Sequence, residues 1–92
     1  MNKVYKYNVG AYGGTTSICG KIIKLLTVQN QRDTAVVWAL IDDEAPCVRY
    51  EIVGIGTGWP VDEENFTKEW SYLGTAQFDE GEWVTHYFYH MV

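Results

Sequence analysis

The sequence predicts an all-β domain of about six strands, either a barrel-like single antiparallel sheet or a small sandwich. Two observations lead to this prediction. Apolar and polar residues alternate over short segments, as they do in strands that bury one face, and turn-forming residues separate these segments at short, regular intervals. With 92 residues and no linker or repeat, the chain has the length of one domain, which we place at residues 1–92.

The first half of the chain predicts a series of strands. Their bounds are Val4–Val9, Thr15–Cys19, Lys21–Gln29 and Thr34–Ile41. Asn30–Asp33 has the polar composition of a tight hairpin turn between the last two of them. The Thr34–Ile41 segment is apolar on both faces, which is typical of a strand covered on each side. We therefore predict that it is the central strand.

The second half begins with an interruption, because Asp42–Pro46 combines charge with a proline. Clean alternation resumes at Cys47–Ile55, and Gly54–Pro60 ends that strand in a glycine-rich turn. A single helical turn is predicted at Glu63–Lys68, with Asp62 as its N-cap. The last strands are Trp70–Phe78 and Glu82–Val92, joined by a glycine-containing turn at Asp79–Gly81.

The acidic composition argues against some classes of partner. Twelve Asp and Glu residues against seven Lys and Arg give a formal net charge of -5, which repels polyphosphate, so we expect no DNA or RNA polymer as a partner. No apolar run approaches the roughly 18 residues that cross a bilayer, and no signal peptide is recognisable, so we expect no membrane partner and a cytoplasmic location. Cys19 and Cys47 are too few for a disulfide framework and are expected to be buried free thiols.

Aromatic residues are unusually frequent. Four Trp, seven Tyr and three Phe make up 15% of the chain, which is more large rings than so small a core readily encloses. Some of them should therefore lie at the surface or in an interface, where Tyr and Trp usually contact a partner. A chain this short is marginally stable alone, and self-association into a homo-oligomer is one way to complete its core.

The sequence offers no recognisable catalytic or metal site. His86 and His90 are the only histidines, and on a strand about 13 Å separates them, at about 3.3 Å per residue, which is too far to share one metal ion. The Ser, Thr and Cys residues stand in no known nucleophile motif, and the acidic runs Asp42–Glu44 and Asp62–Glu64 are typical of solvated turns. We therefore predict no catalytic residue, no metal and no cofactor.

Two features of the sequence are compatible with anion binding. In the glycine-rich turn, the backbone NH groups of Thr57 and Gly58 could hold an anion while Trp59 stacks on a flat group, although a bulge followed by a tight turn explains the same glycines. Arg49 lies on the polar side of its strand. Its guanidinium there either binds a phosphate or pairs with Glu51 or a cross-strand acid.

Several motifs occur in a fixed order along the chain. They are Trp38-Ala39-Leu40-Ile41-Asp42, Ala45-Pro46 with Arg49, Gly56-Thr57-Gly58-Trp59-Pro60, Tyr72-Leu73-Gly74-Thr75-x-Gln77 and Trp83-Val84-x-His86-x-Phe88. This pattern resembles a widespread family of small bacteriophage proteins. Its size and motifs are similar to those of the phage anti-CBASS sponge proteins, which assemble into oligomers and sequester the cyclic oligonucleotide signals of bacterial immunity. The chain departs from the family in its longer, glycine-rich Gly10–Gly20 segment.

The resemblance implies a phage anti-defence protein that binds a cyclic dinucleotide or related cyclic oligonucleotide in the cytoplasm of the infected host, without chemistry. Such a ligand needs rings that stack on bases and cations or backbone NH groups that bind phosphates. The expected ligand-binding residues are Lys6, Tyr12, Arg49, Tyr50, Thr57, Gly58 and Trp59. The alternative is a small protein-interaction module that contacts a host or virion protein through exposed aromatic residues. An enzyme that degrades the nucleotide ranks third.

Overall fold

The structure, a computed structural model, describes residues 1–10, 13–32, 34–61 and 69–92. These residues form strands β1 (Asn2–Asn8), β2 (Gly13–Gln31), β3 (Thr34–Gly56), β4 (Ser71–Phe78) and β5 (Trp83–Met91), with a short 3-10 turn at Asp79–Gly81. Every strand pair is antiparallel, and together the strands make one curled sheet that forms a half-barrel. The predicted all-β class is confirmed.

β3 is the central strand of the sheet. Along one edge it pairs with β2 over most of its length. Along its other edge it pairs first with β1, which lies opposite residues 36–42, and then with β5, which lies opposite residues 50–56. β4 pairs with the other edge of β5. The prediction that Thr34–Ile41 lies at the centre of the sheet is therefore confirmed.

β3 bends between its two halves. Gly20 of β2 lies opposite Cys47, but the next residue along β2 lies opposite Asp42, so residues 43–46 are left out of this ladder. Gly20 has φ +130°, and an added Cβ would stand 2.2 Å from the carbonyl oxygen of Asp42, so only glycine fits here. The predicted interruption at Asp42–Pro46 was wrong, because a bulge accommodates these residues within one continuous strand.

The core lies on one face of the curled sheet. In the first half of β3, alternate residues are almost fully buried, namely Ala35, Val37, Ala39 and Ile41. Beyond the bend, the buried side of the strand carries Tyr50 and Ile52. On the opposite face of the first half, Val36 is also buried, but Trp38 and Leu40 stay partly exposed, so this face is covered less completely than the composition predicts.

The sheet curls until β4 meets β2. At Gly74 of β4, an added Cβ would stand 2.7 Å from Cγ2 of Val28 in β2. The absence of a side chain at this position therefore lets the two strands approach closely. Asn30 Nδ2 also donates to the carbonyl oxygen of Gln77 at 2.9 Å. These contacts join strands that are not neighbours in the hydrogen-bonded order of the sheet.

Both hairpin turns expected from the sequence are present. Gln31 pairs with Thr34 across the first, in which Arg32 has φ +54°. The second joins β4 to β5 at Asp79–Gly81, and its glycine has φ +91°. The helical turn predicted at Glu63–Lys68 lies outside the described residues.

The described strands are fewer and longer than the sequence predicts. Thr15–Cys19 and Lys21–Gln29 belong to one strand, β2, and Thr34–Ile41 and Cys47–Ile55 belong to another, β3. In each case the sequence of a bulge resembles that of a strand end, because glycine and charged residues are frequent in bulges and in the turns that end strands. In the described part of the chain, no helix is long and apolar enough to span a membrane.

Candidate functional site

The residues predicted to bind the ligand do not come together in one place. Lys6 lies on β1 beside the first half of β3, whereas Arg49 lies in the second half, beyond the bend. Seven positions separate Arg49 from Gly56, the last residue of β3, a distance of about 23 Å at about 3.3 Å per residue. Residues 57–59 follow Gly56. The Arg49 guanidinium is therefore too far from them to share one phosphate.

Tyr50 is a core residue. It is only 7% exposed, and its ring centre lies 6.0 Å from that of Tyr89. Its hydroxyl accepts a hydrogen bond from the backbone NH of Ile22 at 3.3 Å. The expectation that Tyr50 stacks on a ligand was wrong, because burial leaves no open ring face for a base. Tyr12, the other tyrosine expected to stack, lies outside the described residues.

A cavity of about 540 Å³ lies where β1 meets the hairpin of β2 and β3. We call it the basic cavity, and it is lined by Lys6, Asn8, Gln31, Arg32, Thr34 and Val36. Lys6 and Arg32 are its charged members, and within the described ranges neither forms an ion pair with a carboxylate. The cavity therefore concentrates positive charge on a chain whose formal net charge is -5.

The amide side chains of the basic cavity present hydrogen-bond donors. Gln31 Oε1 accepts a hydrogen bond from Lys6 Nζ at 3.1 Å. Asn8 Oδ1 accepts one from the backbone NH of Gly10 at 2.9 Å. Because each amide oxygen is engaged, its NH₂ group is the part that can donate to a bound molecule. The cavity thus has the chemistry to bind an anion with several acceptor oxygens.

A second cavity, of about 340 Å³, lies at the far end of β3. We call it the tryptophan cleft, and it is lined by Gly56, Thr57, Trp59, Glu82, Trp83 and Val84. The rings of Trp59 and Trp83 meet edge to face, with centres 5.5 Å apart and planes at 73°. They are 44% and 39% exposed, so both rings, including that of the predicted residue Trp59, remain open to a ligand.

The turn beside the tryptophan cleft differs from the anion site that the sequence suggested. The backbone NH of Thr57 donates to the carbonyl oxygen of Val84 at 3.1 Å, so it is not free to bind a phosphate. Glu82 is one of the residues that line the cleft, and its negative charge disfavours an anion there. Gly58 has φ +85°, as the alternative explanation of these glycines, a tight turn, requires.

A chain of hydroxyl groups and an imidazole adjoins the tryptophan cleft. Thr57 Oγ1 lies 2.6 Å from His86 Nε2, and Thr75 Oγ1 lies 3.0 Å from His86 Nδ1. The Tyr72 hydroxyl in turn contacts Thr75 Oγ1. A hydroxyl beside an imidazole has the geometry of a nucleophile and its base. Among the described residues, however, no carboxylate bonds to His86 in the way that the acid of a catalytic triad bonds to its histidine.

The second histidine, His90, pairs with Glu51, one of the acids that the sequence offered as a partner for Arg49. His90 Nε2 lies 3.1 Å from Glu51 Oε1, and the His90 ring lies 4.1 Å from that of Trp70. Glu51 is therefore engaged by His90 and not by Arg49. Arg49 is exposed, and the part of the chain that the structure describes provides no ion-pair partner for it. Nor does that part contain a group of three or more His, Cys, Asp and Glu placed to hold a metal ion.

The two cysteines are exposed, so the prediction of buried thiols was wrong. Cys19 of β2 lies directly opposite Cys47 of β3, with their Sγ atoms 2.8 Å apart. Both side chains project from the solvent side of their strands, the side that also carries Ser17 and Arg49. They form a pair of free thiols at the bend of the sheet.

Comparison with known proteins assigns the chain to a family. The sequence profile of a domain of unknown function, DUF7352, matches residues 1–92. The chain belongs to this family. A search of curated proteins and a search of solved structures gave no match.

The lining residues of the DUF7352 domain that sequence reasoning missed include two charged residues, Arg32 and Glu82, and one aromatic residue, Trp83. Arg32 comes close to Lys6 only because β1 pairs with β3, and nothing local to the hairpin turn indicates this pairing. A signal was available for the tryptophans. Trp59 and Trp83 each follow a glycine-containing turn at the end of a strand, where a large side chain is easily left exposed.

Proposed function

We propose that this DUF7352 domain binds a small phosphorylated compound in the basic cavity, with cyclic nucleotides as the ligand class. The observation that supports this proposal is the pair of cations, Lys6 and Arg32, in a cavity of about 540 Å³. Small-molecule sites span about 300–1,000 Å³. A guanidinium can bind a phosphate through two parallel hydrogen bonds, while an ammonium acts as a point charge. Together the two cations can neutralise the two phosphates of a cyclic dinucleotide.

The bound nucleotide is released unchanged in this proposal. Among the described residues that line the cavity, Thr34 has the only hydroxyl, and none has an imidazole, a thiol or a carboxylate. Sequestration requires tight binding alone, and hydrogen bonds to charged groups contribute about 1.5–3 kcal/mol each. Capture of an immune signal by an oligomeric phage protein in the host cytoplasm is the biological setting that the resemblance to sponge proteins provides.

The first experiment tests for binding and for chemistry together. The purified domain is titrated with a panel of cyclic di- and trinucleotides, with the matching uncharged nucleosides as controls. Binding is measured by thermal shift and calorimetry, and the ligand is then recovered by heating. We expect a thermal shift with at least one cyclic nucleotide, none with the nucleosides, and recovery of the intact molecule. Recovered fragments would instead indicate an enzyme, for which the Thr57 hydroxyl and the His86 imidazole would be the candidate catalytic groups.

Charge-removing variants locate the site. Lys6→Ala and Arg32→Ala should each weaken binding about tenfold or more, because each removes a charge-assisted contact. Lys24→Ala is the matched control, since Lys24 is exposed on β2 and outside the cavity lining. Arg49→Ala separates the two candidate positions: the sequence motif predicts loss of binding, whereas the basic cavity predicts wild-type affinity. Unchanged affinity in both Lys6→Ala and Arg32→Ala would contradict the proposed site.

A protein-interaction module is the second candidate, favoured by exposed aromatic residues on β4 and β5. Tyr72 is 59% exposed, and its ring meets that of Phe88 edge to face at 5.6 Å. Exposed tyrosines of this kind are frequent in protein contact surfaces. If no cyclic nucleotide binds, Tyr72→Ala should abolish co-purification of a host or virion protein from infected cells, whereas Lys24→Ala should not.

A further inference from the structure

The two indoles of the tryptophan cleft are held in place before any ligand arrives. The ring of Trp59 lies over Gly56, where an added Cβ would stand 2.6 Å from its Cε2 atom. Trp83 Nε1 donates to Oγ1 of the buried Thr85 at 2.9 Å. The rings therefore form a corner with planes at 73°. Because their positions are already fixed, a ligand binds there without the entropic cost of ordering these side chains.

The polar groups around this corner favour a cation over an anion. The indole NH of Trp83 and the backbone NH of Thr57 are already engaged in hydrogen bonds. Glu82 is the acidic residue among those that line the cleft, and in the described ranges it forms no ion pair. The faces of indole rings are electron-rich and attract positive charge. The cleft thus joins two aromatic surfaces with an available negative group.

We propose that the tryptophan cleft binds an organic cation, either an alkylammonium or a guanidinium group. The cation packs against the rings of Trp59 and Trp83 while Glu82 balances its charge. The cleft, of about 340 Å³, suits a group of side-chain size. It lies at the last residue of β3, whereas the basic cavity lies at the first residues of the same strand. The two proposed sites therefore lie at opposite ends of one strand and differ in the charge of the ligand that they favour.

Two sources can supply such a cation. One is a Lys or Arg side chain of a partner protein, which the net charge of -5 would attract at long range. The other is a free alkylammonium compound such as choline. Both present the same chemistry to the cleft, so the experiment contains an arm for each.

The indole NH signals of Trp59 and Trp83 in proton–nitrogen correlation spectra report on the cleft directly, once Trp59→Phe and Trp83→Phe have assigned them. One arm titrates choline and its neutral isostere, in which carbon replaces the ammonium nitrogen. The other arm titrates a short peptide with a single arginine and the same peptide with neutral citrulline. We expect both signals to shift with a cationic probe and to respond at least about twofold more weakly to its neutral partner.

Two acidic variants complete the test. Glu82→Gln should weaken binding of the cationic probe about two- to fivefold, because it removes the balancing charge. Glu80→Gln is the matched control, since Glu80 is exposed in the same turn but does not line the cleft. A response to the peptide alone assigns the site to a protein partner, and a response to choline alone assigns it to a free compound. Binding by neither cation, equal binding of neutral and cationic probes, or wild-type affinity in Glu82→Gln would overturn the proposal.

Discussion

The Cys47 thiol holds its proton more firmly than an ordinary cysteine. Its pKa is raised, first by the hydrogen bond with Cys19 and second by desolvation, while the charge of Arg49 acts in the opposite direction. Cys19→Ala should therefore lower the pKa of Cys47 and speed its alkylation at about pH 8, because the thiolate is the reactive form. The rate is measured on the Cys47 peptide by mass spectrometry across a range of pH.

Arg49→Gln provides the opposite control for Cys47. It removes the positive charge that favours the thiolate, so the alkylation profile should move to higher pH. Identical profiles in wild type and Cys19→Ala would show that the paired thiols are not coupled as the structure indicates.

Lys3 of β1 forms an ion pair with Asp43, which lies in the bulge of β3. Lys3 Nζ lies 2.8 Å from Asp43 Oδ2, and this hydrogen bond holds the pKa of the Asp43 carboxyl below its usual value. A carboxyl whose pKa is lower in the folded state stabilises the fold above its unfolded pKa, about 4, and that contribution disappears as the pH falls through the folded pKa. Lys3→Met should therefore lower the melting temperature at neutral pH.

The difference between Lys3→Met and wild type should shrink as the pH is lowered to about 2, because the contribution of Asp43 is lost as the pH falls through its folded pKa. Thermal melts at the two pH values check this, and Lys24→Met, which removes an exposed lysine from β2, is the control. A difference that persists in acid would mean that Lys3 stabilises the fold through packing and not through its charge.

Single residues also show how far the sequence could lead. The alternation of Val48, Tyr50 and Ile52 predicts that they share one face, and that face is the core. The burial of Tyr50 was thus contained in the pattern. The proximity of Arg32 and Lys6 could not be predicted from the pattern. It depends on the pairing of β1 with β3, and periodicity within a segment carries no information about which strand it pairs with.

At the scale of the strand, the bend of β3 is what the sequence describes least well. Asp42–Pro46 has the charge and the proline of a loop, and Gly20 looks like the end of a strand. In the structure these two segments lie opposite each other in the β2–β3 ladder, and together they form the bulge at which the hairpin bends. Each segment taken alone predicts the end of a strand. Only the pairing of the two segments shows that they form one bulge within continuous strands.

The bend requires glycine at position 20. Gly20→Ala should destabilise the fold by about 3 kcal/mol or more, since it combines a φ of +130° with a Cβ that would stand 2.2 Å from Asp42 O. Gly58→Ala is the comparison, because its φ is +85° but no atom lies within 4 Å of an added Cβ, and backbone strain alone costs about 1–2 kcal/mol. Urea unfolding of both variants measures the difference. Equal losses would indicate that the bend relaxes around an alanine.

At the scale of the whole molecule, the predicted all-β class is confirmed, but the close approach of β4 to β2 depends on a contact that no local pattern reveals. Gly74→Ala places a Cβ 2.7 Å from Cγ2 of Val28, and overpacking of this kind costs about 1–3 kcal/mol. Val28→Ala removes Cγ2 but keeps Cβ, which would stand 2.8 Å from the added atom, so it relieves the overpacking in part. The double variant should therefore be more stable than the sum of the single losses by about 1 kcal/mol.

Chemical denaturation of the wild type, both single variants and the double variant completes this cycle. Ile18→Val combined with Gly74→Ala is the control, because Ile18 belongs to the other cluster of the core and its effect should add to that of Gly74→Ala. Strict additivity of Gly74→Ala with Val28→Ala would mean that β4 does not approach β2 as closely as the fold requires.

The central position of β3 also determines the order in which the nascent chain can acquire structure. In the described sheet, β1 and β2 form their ladders with β3 and none with each other. A polypeptide that has left the ribosome only as far as Gln31 therefore carries two strands with unpaired backbone groups. Until synthesis of β3 supplies their partner, both remain open to association with other chains.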